Sequence, residues 1–338
     1  MIKVAAFTAG ARISTARFRV RQYIPVLKAY GIDLQEFFAP LGSYPPKNRL
    51  VRPLWGVASL GTRLPGIVRS HAYDLVLLQR ELLSTFFTLE PLTKKPRVLD
   101  VDDAIWLRRD GAFARRLARI CDLVICGNAF LAEHFRGWNP RVSILPTAVD
   151  AERFVPARRE PDGAMTIGWS GASDGLVDLK IAEKALQVIL KMYPRARLRV
   201  MSNEAPRCLD FPAGSVEFIP WSPEAEVQAI QGMSIGIMPL EDNLWNRGKC
   251  AYKMLLYMSC GVPVVVSPVG MNDELLRTAP IGRGARNTEE WVDALGEFLS
   301  RPEEAAAAGQ RGRNLVVERF SVSAIAPRLA SQLCQLVS

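Results

Sequence analysis

The sequence predicts an α/β protein made of two doubly wound parallel sheets, and three observations lead there. Short apolar, β-branched segments alternate with helix-length segments along nearly the whole chain, as expected for helices layered on parallel strands. Residues 146–164, PTAVDAERFVPARREPDGA, are rich in proline, charge and small side chains and interrupt that alternation. It then starts afresh at Met165, dividing 338 residues into halves large enough for a core each.

In the first half, buried strands are expected at residues 3–7, 74–78, 97–101, 123–126 and 142–145, with helices notably over 16–30 and 129–136. The second half should carry strands at 165–169, 197–201, 216–219, 235–238 and 262–266, and a helix over 176–192. The expected domains are 1–150 and 165–320, joined by a linker at 151–164, with a C-terminal helix at 321–338 returning toward the first domain. Ligands in such sheets bind beyond the carboxyl ends of the strands, so the cleft between the domains is the expected site.

Composition removes several function classes. The six cysteines form no CxxC pair and four lie in apolar surroundings, so they read as reduced core residues. Two distant histidines, His71 and His134, offer little for a zinc site or a histidine-based nucleophile triad. A net charge of +9 calls for an anionic partner. Its basic residues gather in the first half, at Arg12, Arg17, Arg19 and Arg21, then Lys94, Lys95 and Arg97, then Arg108 to Arg119. Residues 106–119 read either as a solvated basic face or as a cationic helix on an anionic bilayer with Trp106, Leu107, Phe113 and Leu117 beneath it. Nucleic acid is not expected, because aromatic side chains are not interleaved with the charge. No apolar run approaches a membrane span, and MIKVAAFTAG lacks the features of a signal peptide. The expected location is therefore the cytoplasm, with peripheral contact at the inner face of the membrane.

Four segments carry the candidate chemistry. Residues 246–270, NRGKCAYKMLLYMSCGVPVVVSPVG, combine Asn246, Arg247, Lys249 and Lys253 with a helix, a Gly261 stop and a buried strand. The two lysines, four apart, are expected on one helix face, where with the helix amides they would hold a phosphate. A turn at 168–175, with Ser170 and Gly171, offers amides at a helix start for the same purpose, while Glu241, Asp242 and Asn243 are candidates for sugar hydroxyls. VLDVDDAIW places Asp100, Asp102 and Asp103 at a strand end, where mutual repulsion calls for a metal, a basic partner or a hydroxylated substrate. TAGARISTARFR supplies Gly10, Ser14 and Arg17 in a loop after the first strand, and Arg80 and Glu81 follow the second predicted strand.

Taken in order, ISTARFRVRQYIPVL, DLVLLQRELL, VLDVDDAIW, CDLVICGNAFLAEHF, LPTAVDAERF, IGWSGASDG and the 246–270 segment resemble bacterial family 4 glycosyltransferases of the two-Rossmann GT-B fold. The resemblance spans nearly the whole chain. It implies a nucleotide-diphosphate sugar bound by the C-terminal domain, and a hydroxyl acceptor, either a cell-envelope glycan, a lipid-linked saccharide or a small molecule, bound by the N-terminal one. It further implies retention of configuration, with no cofactor and usually no metal. Gly171 resembles the loop glycine near the donor phosphates, and Lys249 or Lys253 the basic diphosphate clamp, with Arg247 beside them. Asp102 lies where many relatives have a histidine, followed by Asp103. Gly10, Ser14, Arg17, Arg80 and Glu81 fall on the acceptor side. Where the family carries two glutamates seven residues apart, this sequence has Gly248 and Leu256, so donor recognition is rearranged, shared with residues such as Glu274, or lost. A metal-dependent transferase using Asp100 and Asp102, and a GT-B scaffold without catalysis, are the alternative readings.

Overall fold

The computed structural model describes residues 1–11, 13–157, 165–207 and 209–337. Arg12, Cys208, Ser338 and the 158–164 part of the expected linker lie outside the described residues. The chain forms two compact units, Met1–Ala148 with Gly248–Cys250 and Val322–Ser338, and Val149–Arg247 with Ala251–Ser321.

In the first unit the strands are β1 (Ile2–Thr8), β2 (Ile32–Phe38), β3 (Leu75–Gln79), β4 (Arg97–Val101), β5 (Leu123–Cys126) and β6 (Val142–Ile144). They form one sheet in the order β2-β1-β3-β4-β5-β6, every pair parallel. Its helices are α1 (Ser14–Arg19), α2 (Ile24–Leu27), α3 (Arg52–Ser70), α4 (Ala112–Ile120) and α5 (Ala129–Arg136). The second unit carries β7 (Met165–Ser170), β8 (Ala196–Ser202), β9 (Val216–Pro220), β10 (Ile235–Met238), β11 (Val264–Val266) and β12 (Gly282–Gly284), also all parallel, in the order β12-β11-β10-β7-β8-β9. Around it lie α6 (Glu183–Met192), α7 (Pro223–Gln231), α8 (Leu244–Arg247), α9 (Tyr252–Ser259), α10 (Met271–Thr278), α11 (Thr288–Ser300) and α12 (Pro302–Arg319). The last helix, α13 (Val322–Cys334), belongs to the first unit.

Each core follows from the buried strands. Val4, Leu75, Leu77, Val98 and Ile125 pack with Tyr23 and Leu27 and with Ile325, Leu329 and Leu333 of α13. In the second unit Ile167, Val200, Ile235 and Val265 pack with Ile189, Trp291, Leu295 and Phe298. Both sheets reverse strand order at their first strand, β1 lying between β2 and β3 and β7 between β8 and β10. That reversal opens a crevice at the carboxyl ends, the place where a doubly wound sheet receives its ligand.

Several expectations change. The helix expected over 16–30 is broken into α1, a 3₁₀ turn at Arg21–Tyr23, α2 and a second turn at Lys28–Tyr30, because Pro25 cannot donate into a continuous helix. The helix expected over 176–192 is a 3₁₀ segment, Ser173–Ile181, followed by α6. The 106–119 segment is not one helix lying on a surface. Left-handed Asp110 (φ 58°) and Gly111 (φ 67°) separate a 3₁₀ turn from α4, and Phe113 and Leu117 are buried in the unit. Cys121, Cys126, Cys250 and Cys260 are buried free thiols, and Cys334 is half-buried.

Close packing fixes α12 against the turn that ends α9. A Cβ at Gly309 would lie 2.1 Å from the Gly261 carbonyl oxygen, a backbone atom that cannot swing away. Gly309→Ala should therefore lower unfolding stability by about 1–3 kcal/mol; an unchanged urea midpoint would show that this packing is absent.

Candidate active site

At the carboxyl end of the first sheet, the three carboxylates of VLDVDDAIW have three different fates. Asp100, paired opposite Gln79 of β3, is buried and meets Arg19 of α1. Arg19 Nε donates to both Asp100 oxygens, at 3.2 and 3.0 Å, and Nη2 donates to Oδ1 as well. The same guanidinium donates from Nη1 to the Leu145 carbonyl at 2.8 Å. Burial alone would weaken the charge on Arg19, but Asp100 more than offsets this and raises its pKa. Both oxygens of Asp100 are thus engaged by Arg19.

Asp103 is half-buried and accepts from Arg80 Nη1 at 3.0 Å. Arg80 follows β3 in the left-handed region, at φ 63°, which costs a non-glycine residue about 1–3 kcal/mol and is typical of functional loops. Glu81 beside it is buried; its Oε1 accepts from the Thr85 amide at 3.0 Å, and its Oε2 lies 3.7 Å from Arg80 Nε. Asp102 is the third carboxylate of this strand end. It is buried, its Oδ1 has no hydrogen-bond partner among the described residues, and burial, then repulsion from Asp103, push its pKa up to about 7. A carboxyl group tuned to neutrality suits proton transfer.

Of the other residues on this side, Gly10 is tied down through its carbonyl, which accepts from Arg21 Nη2 at 2.9 Å. Ser14 is exposed at the start of α1, and Arg17 is half-buried with its guanidinium 4.4 Å from the Phe18 ring centroid. Gln79 escaped sequence reasoning. It is 1 % exposed, and neither amide atom has a partner among the described residues. A polar residue closing a buried strand is the only signal the sequence gave.

In the second unit, Lys253 of α9 reaches the turn after β7. Its ammonium lies 4.3 Å from the Trp169 ring centroid, a cation–π contact. A Cβ on Gly171 would come within 2.9 Å of Lys253 Nζ and 2.8 Å of the Trp169 ring, so the glycine is what admits the lysine. The turn's amides are less available than expected. Gly171 N–H donates to Met201 O at 3.0 Å, Ser173 N–H to Asn203 Oδ1 at 2.8 Å, and Gly175 N–H to Ala172 O at 2.9 Å. Ser170 is locked in place, its N–H donating to the Tyr257 hydroxyl at 2.8 Å. Next to the turn, a surface cavity of about 390 Å³ is lined by Ser173, Leu176, Val177, Lys180, Glu204, Ala205 and Arg207. None of the last four was singled out from the sequence.

The 246–270 segment differs most from expectation. Lys249 and Lys253 do not share a helix face: α9 begins at Tyr252, preceded by Ala251 in the left-handed region at φ 51°. Lys249 instead groups with the first unit, where Asn128 Nδ2 donates to the carbonyls of Gly248 and Lys249 at 3.0 and 3.2 Å. Arg247 ends α8, exposed, and its guanidinium donates to Asp242 at 2.7 and 3.1 Å. Asn246 is buried and serves the loop, donating from Nδ2 to the Glu241 carbonyl at 2.9 Å. Glu241 and Glu274 are both exposed, Glu274 in the first turn of α10. The two departures from the glutamate pattern have a steric account. A Cβ on Gly248 would lie 2.9 Å from the Ala104 backbone nitrogen, and Leu256 is 3 % exposed, where a carboxylate would be buried.

Residues 183–331 match a family model described as glycosyl transferase-like. A comparison with curated proteins gives no match. Among solved structures, the fold is similar to a sucrose-phosphate synthase from Thermosynechococcus elongatus, with TM-score 0.75 and 16% identity over 99% of each chain. It is also similar to Anabaena HepE, solved in complex with UDP and glucose, with TM-score 0.71 and 14% identity over 99% of this chain and 100% of that one. WaaG, a glycosyltransferase involved in lipopolysaccharide biosynthesis, gives TM-score 0.65 and 14% identity over 97% of this chain and 99% of that one. The two parallel sheets and these likenesses define an α/β, two-domain Rossmann-like GT-B fold.

Asp100 and Asp102 should respond to neutralisation in opposite ways. Asp100→Asn strips Arg19 of its buried counter-charge and should cost about 3–5 kcal/mol. Asp102 has a folded pKa of about 7, above the roughly 3.9 of an unfolded chain. Its contribution to stability is therefore full below about pH 4 and lost as pH rises to about 7. Asp102→Asn should accordingly raise stability relative to the parent at pH 8 and not at pH 4. Urea midpoints at the two pH values check both; a destabilised Asp102→Asn at pH 8 would contradict the assignment.

Proposed function

We propose that this protein transfers a sugar from a nucleotide-diphosphate sugar to a hydroxyl acceptor. The observation that carries the reading is the Lys253 ammonium held against Trp169 and Gly171 at the strand reversal of the second unit. A fixed cation there favours the negative charge that develops on a departing diphosphate, and does so without reorganisation during the reaction. The cavity beside the turn suits the nucleoside, its Glu204 facing ribose hydroxyls and its Leu176 and Val177 an apolar base edge. Arg247 and Lys249 are assigned as further cations of the donor site. Glu241, Asn246 and Glu274 are assigned to donor recognition, with Ser170 holding the turn. The glycosyl transferase-like match over 183–331 and the GT-B fold support the same reading.

In the transfer, an acceptor oxygen bonds to the anomeric carbon as the bond from that carbon to the diphosphate oxygen breaks. The electron pair leaves with the diphosphate, and the acceptor proton passes to Asp102 or to the departing phosphate oxygen. Asp103 and Arg80 position Asp102, while Gly10, Ser14, Arg17 and Glu81 shape the acceptor side together with Gln79. The acceptor is proposed to be a cell-envelope glycan or lipid-linked saccharide, and the reaction to retain configuration, need no metal and take place in the cytoplasm. A second reading, a GT-B protein that binds donor without transferring it, is favoured by Gly248 and Leu256 in place of the two glutamates.

Thermal shift against a panel of nucleotide sugars tests donor binding: at least one should stabilise the protein, and none doing so would sink the proposal. Lys253→Ala should weaken that donor about tenfold or more, the value of a lost charge-assisted contact; unchanged affinity would remove this lysine from the site. If Asp102 takes the proton, activity should rise with pH through about 7, as its carboxyl ionises. Asp102→Asn should then cost about 10²-fold or more in kcat and abolish that limb. A pH profile unchanged by the substitution would assign the proton to the leaving phosphate.

A further inference from the structure

Helix α3 is built inside out. Its inner face buries Ser59, Arg63 and Ser70 beside Ile67, and Arg63 donates from Nη1 and Nη2 to the carbonyls of Phe37 and Thr8, at 3.0 and 2.7 Å. Its outer face carries the large apolar residues. Leu50, just ahead of the helix, is 89 % exposed, Leu54 75 %, Val57 73 % and Val68 72 %, with Leu64 and Val51 also exposed. Within the helix, at 100° per residue, Leu64, Val57, Val68 and Leu54 fall in one arc of roughly 80°, interrupted only by Gly61, with no charged residue inside it. A surface helix ordinarily turns such an arc toward the core. Leaving it in water is unfavourable, so a covering surface is required.

Charge decides which surface. Residues 37–73 contain no aspartate or glutamate, while Lys47 and Arg49 stand exposed in the chain leading into the helix and Arg69 stands exposed on the helix within about 60° of the arc's edge. A second copy of the chain docked on the same face would bring these cations against one another. We infer that α3 with its leading turn docks on an anionic phospholipid bilayer, the apolar arc entering the acyl boundary and the flanking cations meeting headgroup phosphates. No helix among the described residues is long and apolar enough to cross a membrane, so this is attachment at the surface. The role of α3 replaces that expected of residues 106–119, whose Phe113 and Leu117 are spent inside the unit. It stands independently of sugar transfer, because it needs neither donor nor acceptor.

The test is co-sedimentation of the full chain with vesicles of phosphatidylglycerol and phosphatidylcholine, against vesicles of phosphatidylcholine alone, without any nucleotide. The protein should partition onto the anionic vesicles, at least tenfold more than onto neutral ones, and added salt should weaken it. Leu54→Glu with Val57→Glu should reduce binding at least tenfold, and Lys47→Glu with Arg49→Glu several-fold. Both apolar positions are exposed, so melting should be unchanged; if the glutamates disturb the fold, Leu54→Ser with Val57→Ser gives the same reading more mildly. Absence of vesicle binding, equal binding to neutral vesicles, or full binding by the Leu54/Val57 variants would overturn the inference. So would light scattering that shows a dimer dissociated by those variants, which would give the face to a second copy.

Discussion

The buried pair of Arg19 with Asp100 sets how the carboxyl end of the first sheet is used. One guanidinium joins α1 to the end of β4 and to the chain leaving β6, through Asp100 and the Leu145 carbonyl. It is an expensive arrangement in desolvation terms, since neither charge reaches water, and it holds only because the geometry satisfies both partners. Its consequence is a division of labour along four residues. Asp100 is neutralised, Asp103 is held by Arg80, and Asp102 between them has no ion pair among the described residues. Environment alone thus separates three chemically identical groups into a buried brace, an ion-paired carboxylate and a carboxyl pushed toward neutrality.

The second unit solves the complementary problem, with a cation where the first has a carboxylate. Trp169, at the end of β7, presents a ring face to Lys253, and Gly171 leaves the room for it. Two non-glycine residues held in the left-handed region, Arg80 and Ala251, stand directly at these two places. Each stores strain that surrounding structure must outweigh, and Ala251 is what frees Lys253 from the register of Lys249.

Much of the fold was legible because buried strands announce themselves: LVLLQ, LVIC and IGIM leave no other reading. β2 was missed since it is an edge strand, carrying Asp33, Gln35 and Glu36 on residues that face partly to water. β12 was missed because Gly-Arg-Gly has no side-chain pattern at all. In the site, Gly171 and Lys253 were found together through glycine and charge at strand ends. The pairing of Lys249 with Lys253 failed because helix spacing was counted across a residue whose backbone reverses hand, which no side chain reports. Asp100 and Asp102 looked alike in sequence, and only the position of Arg19 distinguishes them. For α3 the residues were visible but the usual rule, apolar face inward, points the wrong way.

The most direct test of sugar transfer is to follow a stabilising nucleotide sugar by phosphorus NMR while the protein acts on a bacterial glycolipid extract. Transfer requires the donor signals to convert to those of the free nucleoside diphosphate, with equimolar sugar appearing in the extract. A donor that stays intact, or one cleaved between its phosphates to a monophosphate, would contradict it.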